Sequence, residues 1–341
     1  VSAGDVVGIT TSLPIEAILA AGRRPLDLNN LFVASGRAAE RVALAERMGF
    51  PRNICAWVKG IYGTVREEGI RTVIGVAQGD CSLAHALLEI LGSEGVETIT
   101  FDFPYSRSRE DLERAIARLE ARLGVSREES EAVREGLLPL RRVLAELDSL
   151  MADCREPGLA ARAHSVILSG SDLLGGRPGD LEALARALVD ELRSRPALEG
   201  PVRLALAGVP PIVTDLFERL ERMGARVVLA EMAREFAMVR PASSLVDQYL
   251  AYTYPYDAFH RFGEFLREAT RRRAEGIVHY VQSFCFRGVQ DRLLRESAAV
   301  PVLTLECDRP GPLDERSATR LEAFVEMLAA SRAVSVGRRC P

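Results

Sequence analysis

The chain has 341 residues, 48% of them apolar and 27% charged, a balance that suits well-buried globular cores and a length that suits two domains better than one. A formal net charge of −4 argues against nucleic acid as the principal partner, and the runs Arg271-Arg272-Arg273 and Arg338-Arg339 read as solvated helix faces. No apolar run approaches the roughly 18 residues that span a bilayer, the start lacks the layout of a secretory signal, and six cysteines are too few for a disulfide scaffold, so the expected compartment is the cytoplasm.

In chain order, Val6–Thr10 reads as a strand, Pro14–Ala21 as a helix stopped by Gly22, Leu26–Asn29 as a strand and Ala38–Met48 as a helix. A helix from Cys55 to Glu68, a buried strand Thr72–Ala77, a helix Ser82–Leu91 and a strand Glu97–Phe103 follow. Strands alternating with helices at this spacing imply a parallel sheet covered on its faces. From Glu110 to Arg195 only helical periodicity remains, in Leu112–Leu123, Ala132–Met151, Ala160–Leu174 and Leu181–Leu192. The alternation then resumes. Strands are expected at Val202–Ala207, Arg226–Ala230, Gly276–Gln282 and Val302–Glu306, and helices at Ile212–Arg222, Phe259–Arg273, Val289–Glu296 and Ala318–Ala330. Ser335–Pro341 reads as a frayed tail. The expected organisation is an α/β domain over 1–109, a helical block over 110–198 and a second α/β domain over 199–341. Phe103-Pro104-Tyr105 and Tyr254-Pro255-Tyr256 form a weak internal echo that duplication would explain.

Three cysteines occupy one kind of place. Cys81, in Gly79-Asp80-Cys81-Ser82, and Cys285, in Ser283-Phe284-Cys285-Phe286, each stand where a strand gives way to a helix, and Cys55 opens a helix after Asn53. Unpaired N–H groups and the helix dipole favour a thiolate at such positions. The carboxyl ends of parallel strands are also where ligands bind, so two facing α/β domains would bring the three thiols together. Thiolates are the usual ligands of iron–sulfur clusters, and three would leave one iron open. On spacing alone, cluster ligands and three buried thiols are equally good readings. Zinc is less favoured, because no histidine has ligand spacing. Cys307 ends a strand and approaches the same crevice, whereas Cys154 and Cys340 carry no chemical signal.

The words around these cysteines are more specific. Asn53-Ile54-Cys55-Ala56-Trp57-Val58-Lys59-Gly60-Ile61-Tyr62-Gly63 and Gly75-Val76-Ala77-Gln78-Gly79-Asp80-Cys81-Ser82 resemble the first two cysteine motifs of the 2-hydroxyacyl-CoA dehydratase family. His279-Tyr280-Val281-Gln282-Ser283-Phe284-Cys285 resembles the third. Thr11-Ser12-Leu13-Pro14-Ile15-Glu16 and Pro301-Val302-Leu303-Thr304-Leu305-Glu306 are similar to the family's opening and closing segments. The resemblance implies two Rossmann-like domains with parallel sheets and a helical insert. It implies a 4Fe-4S cluster with an open site, held by Cys55, Cys81 and Cys285. It further implies a homo- or heterodimer that removes water from a 2-hydroxyacyl-CoA, or reduces an acyl-CoA, by radical chemistry under anaerobic conditions. The electron would come from an ATP-dependent activator. A non-catalytic electron-transfer protein and a double-cubane reductase are the alternatives, and the latter would need all six cysteines.

Of the remaining polar residues, His279 stands at the end of the strand leading to Cys285, as a proton donor or a partner of the cluster's ligands. Gln78 and Gln282 are candidate donors to cluster sulfur, which would raise its potential. Thr10, Thr11 and Ser12 end the first strand and suit either an anionic substrate group or plain helix capping. Glu16 is a candidate catalytic group and Asn30 a candidate substrate-binding group, and both read equally well as structural. His85, His164 and His260 read as structural. Gly208-Val209-Pro210-Pro211 reads as a turn over the same end of the second sheet.

Overall fold

The computed structural model describes residues 6–153, 158–198 and 200–337. The chain begins with β1 (Val6–Ile9), α1 (Ile15–Ala20), β2 (Arg24–Asp27), α2 (Leu28–Ala34), α3 (Ala38–Arg47), α4 (Ala56–Glu68), β3 (Thr72–Val76), α5 (Ser82–Ser93) and β4 (Glu97–Phe101). Every residue of β3 is buried, as expected of an inner strand covered on both faces. The four strands pair in parallel in the order β2-β1-β3-β4.

The helical segment comprises α6 (Arg109–Leu123), α7 (Arg127–Met151), α8 (Leu159–Leu168), a 3₁₀ turn at Ser169–Ser171, α9 (Leu173–Gly176) and α10 (Pro178–Ser194). Ser108 caps α6, and Ser126 with Glu129 forms a capping box on α7, which satisfies N–H groups that would otherwise lack partners. The second α/β unit then runs β5 (Val202–Gly208), α11 (Leu216–Arg222), β6 (Ala225–Ala230), α12 (Glu231–Phe236), α13 (Leu245–Ala251), α14 (Ala258–Arg271), β7 (Gly276–Val281), α15 (Phe286–Ser297), β8 (Val302–Glu306) and α16 (Glu315–Gly337). Its strands pair in parallel in the order β6-β5-β7-β8. The molecule is an α/β protein of two Rossmann-like sheets joined by helices. Its largest apolar core is continuous from β1 through α7 and α8 to β5. No described helix is long and apolar enough to cross a membrane.

The two units match element for element. One helix links β1 to β2 and β5 to β6, three helices link β2 to β3 and β6 to β7, and one links β3 to β4 and β7 to β8. In this correspondence Cys81 and Cys285 are equivalent, each the N-cap of the helix after the third strand of its unit. Cys55, N-cap of α4, corresponds to Asp257, N-cap of α14. The two aromatic-proline segments are not equivalent: Phe103 follows β4, whereas Tyr254 precedes α14. They are instead neighbours in space, with Phe103 packed on Tyr252 and Tyr256.

Several boundaries depart from the sequence reading. The second strand lies at Arg24–Asp27 rather than Leu26–Asn29, because the Asp27 carboxylate accepts from Asn29 N (2.9 Å) and starts α2 there. Helices α2, α12 and α13 are too short for periodicity to reveal. The expected helix Ala160–Leu174 breaks after Leu168, and the expected helix from Ile212 starts at Leu216. The last helix is bounded at Gly337, and Arg338–Pro341 lie outside the described residues, as do Cys154 and Cys340.

One turn of the helical segment is left-handed. Leu173, Leu174, Gly175 and Gly176 have φ of 58, 57, 66 and 74°, a conformation that costs each of the two leucines about 1–2 kcal/mol. Arg24 donates twice to Gly175 O (3.0 and 2.8 Å), and Asp27 N donates to Asp172 Oδ2 (2.8 Å). These bonds tie the turn to the edge strand β2. Two buried carboxyl groups therefore lie side by side. Burial, and then the Asp27 charge, push Asp172 up to about 7, and burial raises Asp27 as well.

The fold thus retains a proton that an unfolded aspartate releases near about 3.9. The associated stability is complete below that pH and is lost as pH rises through about 7. Asp172→Asn keeps an acceptor for Asp27 N and offers a donor to Asp27 Oδ2, which has no partner. Denaturant melts should place this variant above wild type by up to about 2 kcal/mol near pH 8, and by less near pH 5. An equal difference at both pH values would contradict a shared proton.

Candidate functional site

In a parallel sheet whose strand order reverses beside its first strand, a crevice opens between the carboxyl ends of the two inner strands. Each sheet has one, between β1 and β3 and between β5 and β7. The two crevices share one cavity of about 310 Å³. Thr10 and Thr11 from the end of β1, Asp80 and Cys81 from the end of β3, Val209 and Pro210 after β5, and Cys285 after β7 all line it. Cys55 and Trp57 enter from the start of α4. The walls are otherwise mostly apolar, including Ile61, Leu87, Phe236, Tyr254 and Phe286.

Two glycines allow close backbone packing there, one between loops of the two units and one within the second sheet. Gly79 has φ +102°, and a Cβ on it would stand 2.9 Å from Pro255 Cβ and 3.0 Å from Phe103 Cβ. Gly208 has φ +114°, and a Cβ there would run into the carbonyl oxygen of Tyr280. Both positions need the left-handed backbone that glycine adopts without strain.

The thiols of Cys55, Cys81 and Cys285 thus converge on one cavity, each at a helix N-terminus, with the backbone conformation of an N-cap in β-type or similar geometry. For Cys55 and Cys81, ionisation runs opposite to the expectation from helix dipoles. Burial pushes Cys55 up to about 12, against the weaker lowering by the N–H groups of Val58 and Trp57. Burial and then the Asp80 carboxylate push Cys81 up to about 11. Desolvation outweighs the helix ends because the cavity walls are apolar. Without a cation, therefore, Cys55 and Cys81 are neutral thiols at neutral pH, and Cys55 Sγ donates to Gln282 Oε1 (3.1 Å). The same oxygen accepts from Ala56 N (2.9 Å), and Gln282 Nε2 is buried without a partner.

The other expected residues are distributed differently. Thr11 lines the cavity, and its buried hydroxyl has no partner. Ser12 is buried beside it, also unpartnered, but is not among the lining residues. Asn30 turns to the helical segment, donating to Ser171 Oγ (2.9 Å) and Leu168 O (3.4 Å). Its neighbour Asn29 lines the cavity instead, held by bonds from Nδ2 to Thr10 O (2.7 Å) and Asp27 Oδ1 (2.8 Å). His279 is fully buried within the second unit, its Nδ1 2.8 Å from Asp291 Oδ1 and its ring against Phe262. Gln78 is exposed, and its N–H is spent on Asp102. Cys307 is buried against Ser317 and, like His279, is not among the lining residues. His85 is exposed on α5, and His164 packs on Phe217.

Glu16 is a strut. It is fully buried, ion-paired with Arg141 of α7, and accepts from Gln248 Nε2 and Tyr249 OH of α13, both at 2.8 Å. Burial pushes its pKa up, but Arg141 and these bonds outweigh it and leave the carboxyl below its usual range. The cavity also holds residues that patterns did not single out. Asp80 and Arg287 adjoin cysteines in sequence, and that adjacency is the signal that could have found them. A second cleft of about 530 Å³, lined by Arg52, Lys59, Asp308 and Arg309 among others, shares Phe284 with the first.

Two parallel-sheet units facing across a cavity with three half-buried cysteines define a ligand- or cofactor-binding α/β protein. The family model described as 2-hydroxyglutaryl-CoA dehydratase, D-component, matches residues 10–328. The chain belongs to that family, and it is a 2-hydroxyacyl-CoA dehydratase-like protein. No curated protein matches it.

Glu16→Ala leaves the Arg141 guanidinium buried without its carboxylate. The urea midpoint should fall by the equivalent of about 3–5 kcal/mol. A midpoint within error of wild type would mean that the ion pair is not a strut.

Proposed function

We propose that the chain is an iron–sulfur enzyme acting on an acyl-CoA, with a 4Fe-4S cluster held by Cys55, Cys81 and Cys285. The observation that carries this reading is the convergence of three thiols from three helix N-termini on one cavity at the carboxyl ends of both sheets. The donor set fits. Sulfur ligands suit iron–sulfur clusters, and a cation in the cavity lowers thiol pKa values that burial otherwise raises. Among the described residues, no group of three or more His, Cys, Asp or Glu side chains stands close enough to hold a single metal ion.

When bound, the cluster would supply one electron and an open iron for the acyl-CoA. The chain's own residues do the rest. Apolar walls exclude water, Thr11 offers an unpartnered hydroxyl, and Asn29 is oriented by Thr10 and Asp27 beside it. Gln282 Nε2 becomes a donor for the Cys55 sulfur once that thiol has lost its proton and its amide has turned. Glu16 serves by position, and His279 acts through the β7–α15 connection rather than at the substrate. A cavity of this size takes the acyl end, so the nucleotide of CoA lies outside it. Loss of water is redox-neutral overall, so the electron, delivered by an ATP-dependent activator, is recovered at the end of each turnover. The protein works in the cytoplasm, as a homo- or heterodimer, in three parts with the boundaries expected from sequence. A single cubane is favoured over a double one, because Cys307 turns to Ser317 and away from the cavity wall.

Anaerobic reconstitution should give about four irons and four sulfides per chain. Changing Cys55, Cys81 or Cys285 to Ala should remove most of that iron, whereas Cys307→Ala should keep it. Iron that survives all three alanine substitutions would refute the ligand set.

A further inference from the structure

A cluster held by three thiolates is a net anion, and each added electron makes it more so, so its potential depends on the charges around it. Among the lining residues is a positive charge that the reaction as described does not use. Arg287, two residues after Cys285 on α15, is 2% exposed and lines the cavity. Its Nη2 donates to Tyr254 O (2.8 Å) and its Nη1 to Gln290 Oε1 (3.3 Å), while Nε is buried without a partner. The guanidinium lies 4.1 Å from the Tyr254 ring centroid and 4.6 Å from that of Phe286.

Among the described residues Arg287 has no ion pair, which sets it apart from its neighbour. Arg261, equally buried, is bound through two nitrogens to the Glu231 carboxylate. Asp80 is the carboxylate across the cavity, but it forms no ion pair with Arg287, and its Oδ1 accepts from Cys81 N (2.8 Å). A buried cation without a carboxylate is costly unless an anion comes to it.

The correspondence of the two units adds a second observation. Cys81 and Cys285 are equivalent, but the place that answers to Cys55 is the Tyr254–Asp257 approach to α14. In that approach, three residues before Asp257, Tyr254 presents its ring and carbonyl to the Arg287 guanidinium. The residue in α5 that matches Arg287 is Leu83, so the charge belongs to one side only.

We propose that Arg287 is the counter-charge of the cluster, a positioning residue that raises its midpoint potential and aims Nε at the anion. This rests on the cluster reading above. Removing the charge makes each added electron harder to accept.

The test is a redox titration of the anaerobically reconstituted full chain, followed by low-temperature EPR. Arg287→Gln should bind iron and sulfide like wild type. At any fixed potential its reduced-to-oxidised ratio should be at least about tenfold lower, a negative shift of about 59 mV or more for one electron. Arg287→Lys, which keeps the charge, should stay within about threefold of wild type, a shift under about 30 mV. An Arg287→Gln cluster that loads normally and titrates at the wild-type potential overturns the proposal. If the glutamine variant does not fold, the lysine variant decides. Normal iron with a near-wild-type potential supports the counter-charge. An iron-free but folded lysine variant would make Arg287 a packing residue that acts through its planar fork, and would overturn it. Wild-type chain that takes up no iron refutes the cluster reading itself, which is a different result from loaded variants with unchanged potentials.

Discussion

Two parallel sheets meet carboxyl edge to carboxyl edge, and the character of the cavity follows from that meeting. One loop contact between them has almost no spare volume: Gly79 lies between Phe103 of the first unit and Pro255 of the second. Strand order reverses at β1 and at β5, and residues from both of the crevices so formed line one cavity. The helix N-termini that begin at those crevices then point their free N–H groups inward. Burial dominates the chemistry there. Thiols that would favour ionisation at an exposed helix end are held neutral by apolar walls, and only a cation reverses that preference.

The near-twofold arrangement explains why three thiols converge rather than four. Two of them, Cys81 and Cys285, occupy equivalent caps, and Cys55 has its counterpart in a segment that carries Tyr254 and Asp257 instead. The asymmetry gives the first unit two of the thiols, Cys55 and Cys81, and the second unit one, Cys285, with a ring and a guanidinium beside it. In this account both units hold the cluster, and the second also sets its charge balance. The helical segment serves a mechanical purpose. Through Glu16–Arg141, Asp27–Asp172 and the left-handed turn after Asp172, it fixes the first sheet by buried polar ties rather than by apolar contact alone.

Much of this was legible in the sequence, for identifiable reasons. The buried strands Thr72–Val76 and Gly276–Val281 are short apolar runs bounded by turn residues, and every one of their residues is buried. The cysteines at strand–helix junctions were visible because strand, thiol and helix follow one another locally. What escaped depends on contacts between distant segments. Glu16 resembles a site residue until Arg141, more than a hundred positions away, is seen to neutralise it. Asn29 and Asn30 are indistinguishable in sequence, yet the cap made by Asp27 turns one to the cavity and the other to Ser171. Leu173 and Leu174 carry no sign of a left-handed turn, since leucine rarely adopts one. The direction of the thiol pKa values also depends on long-range burial, which a local argument from helix dipoles omits.

The central claim is that one cavity, shared by both sheets, holds an iron–sulfur cluster on Cys55, Cys81 and Cys285. Anomalous diffraction at the iron edge, from crystals grown anaerobically after reconstitution, tests it most directly. The account predicts one compact iron peak per chain within that cavity, in contact with all three sulfurs. Iron density located elsewhere, or a cavity free of iron in crystals of a chain that binds iron in solution, would contradict it.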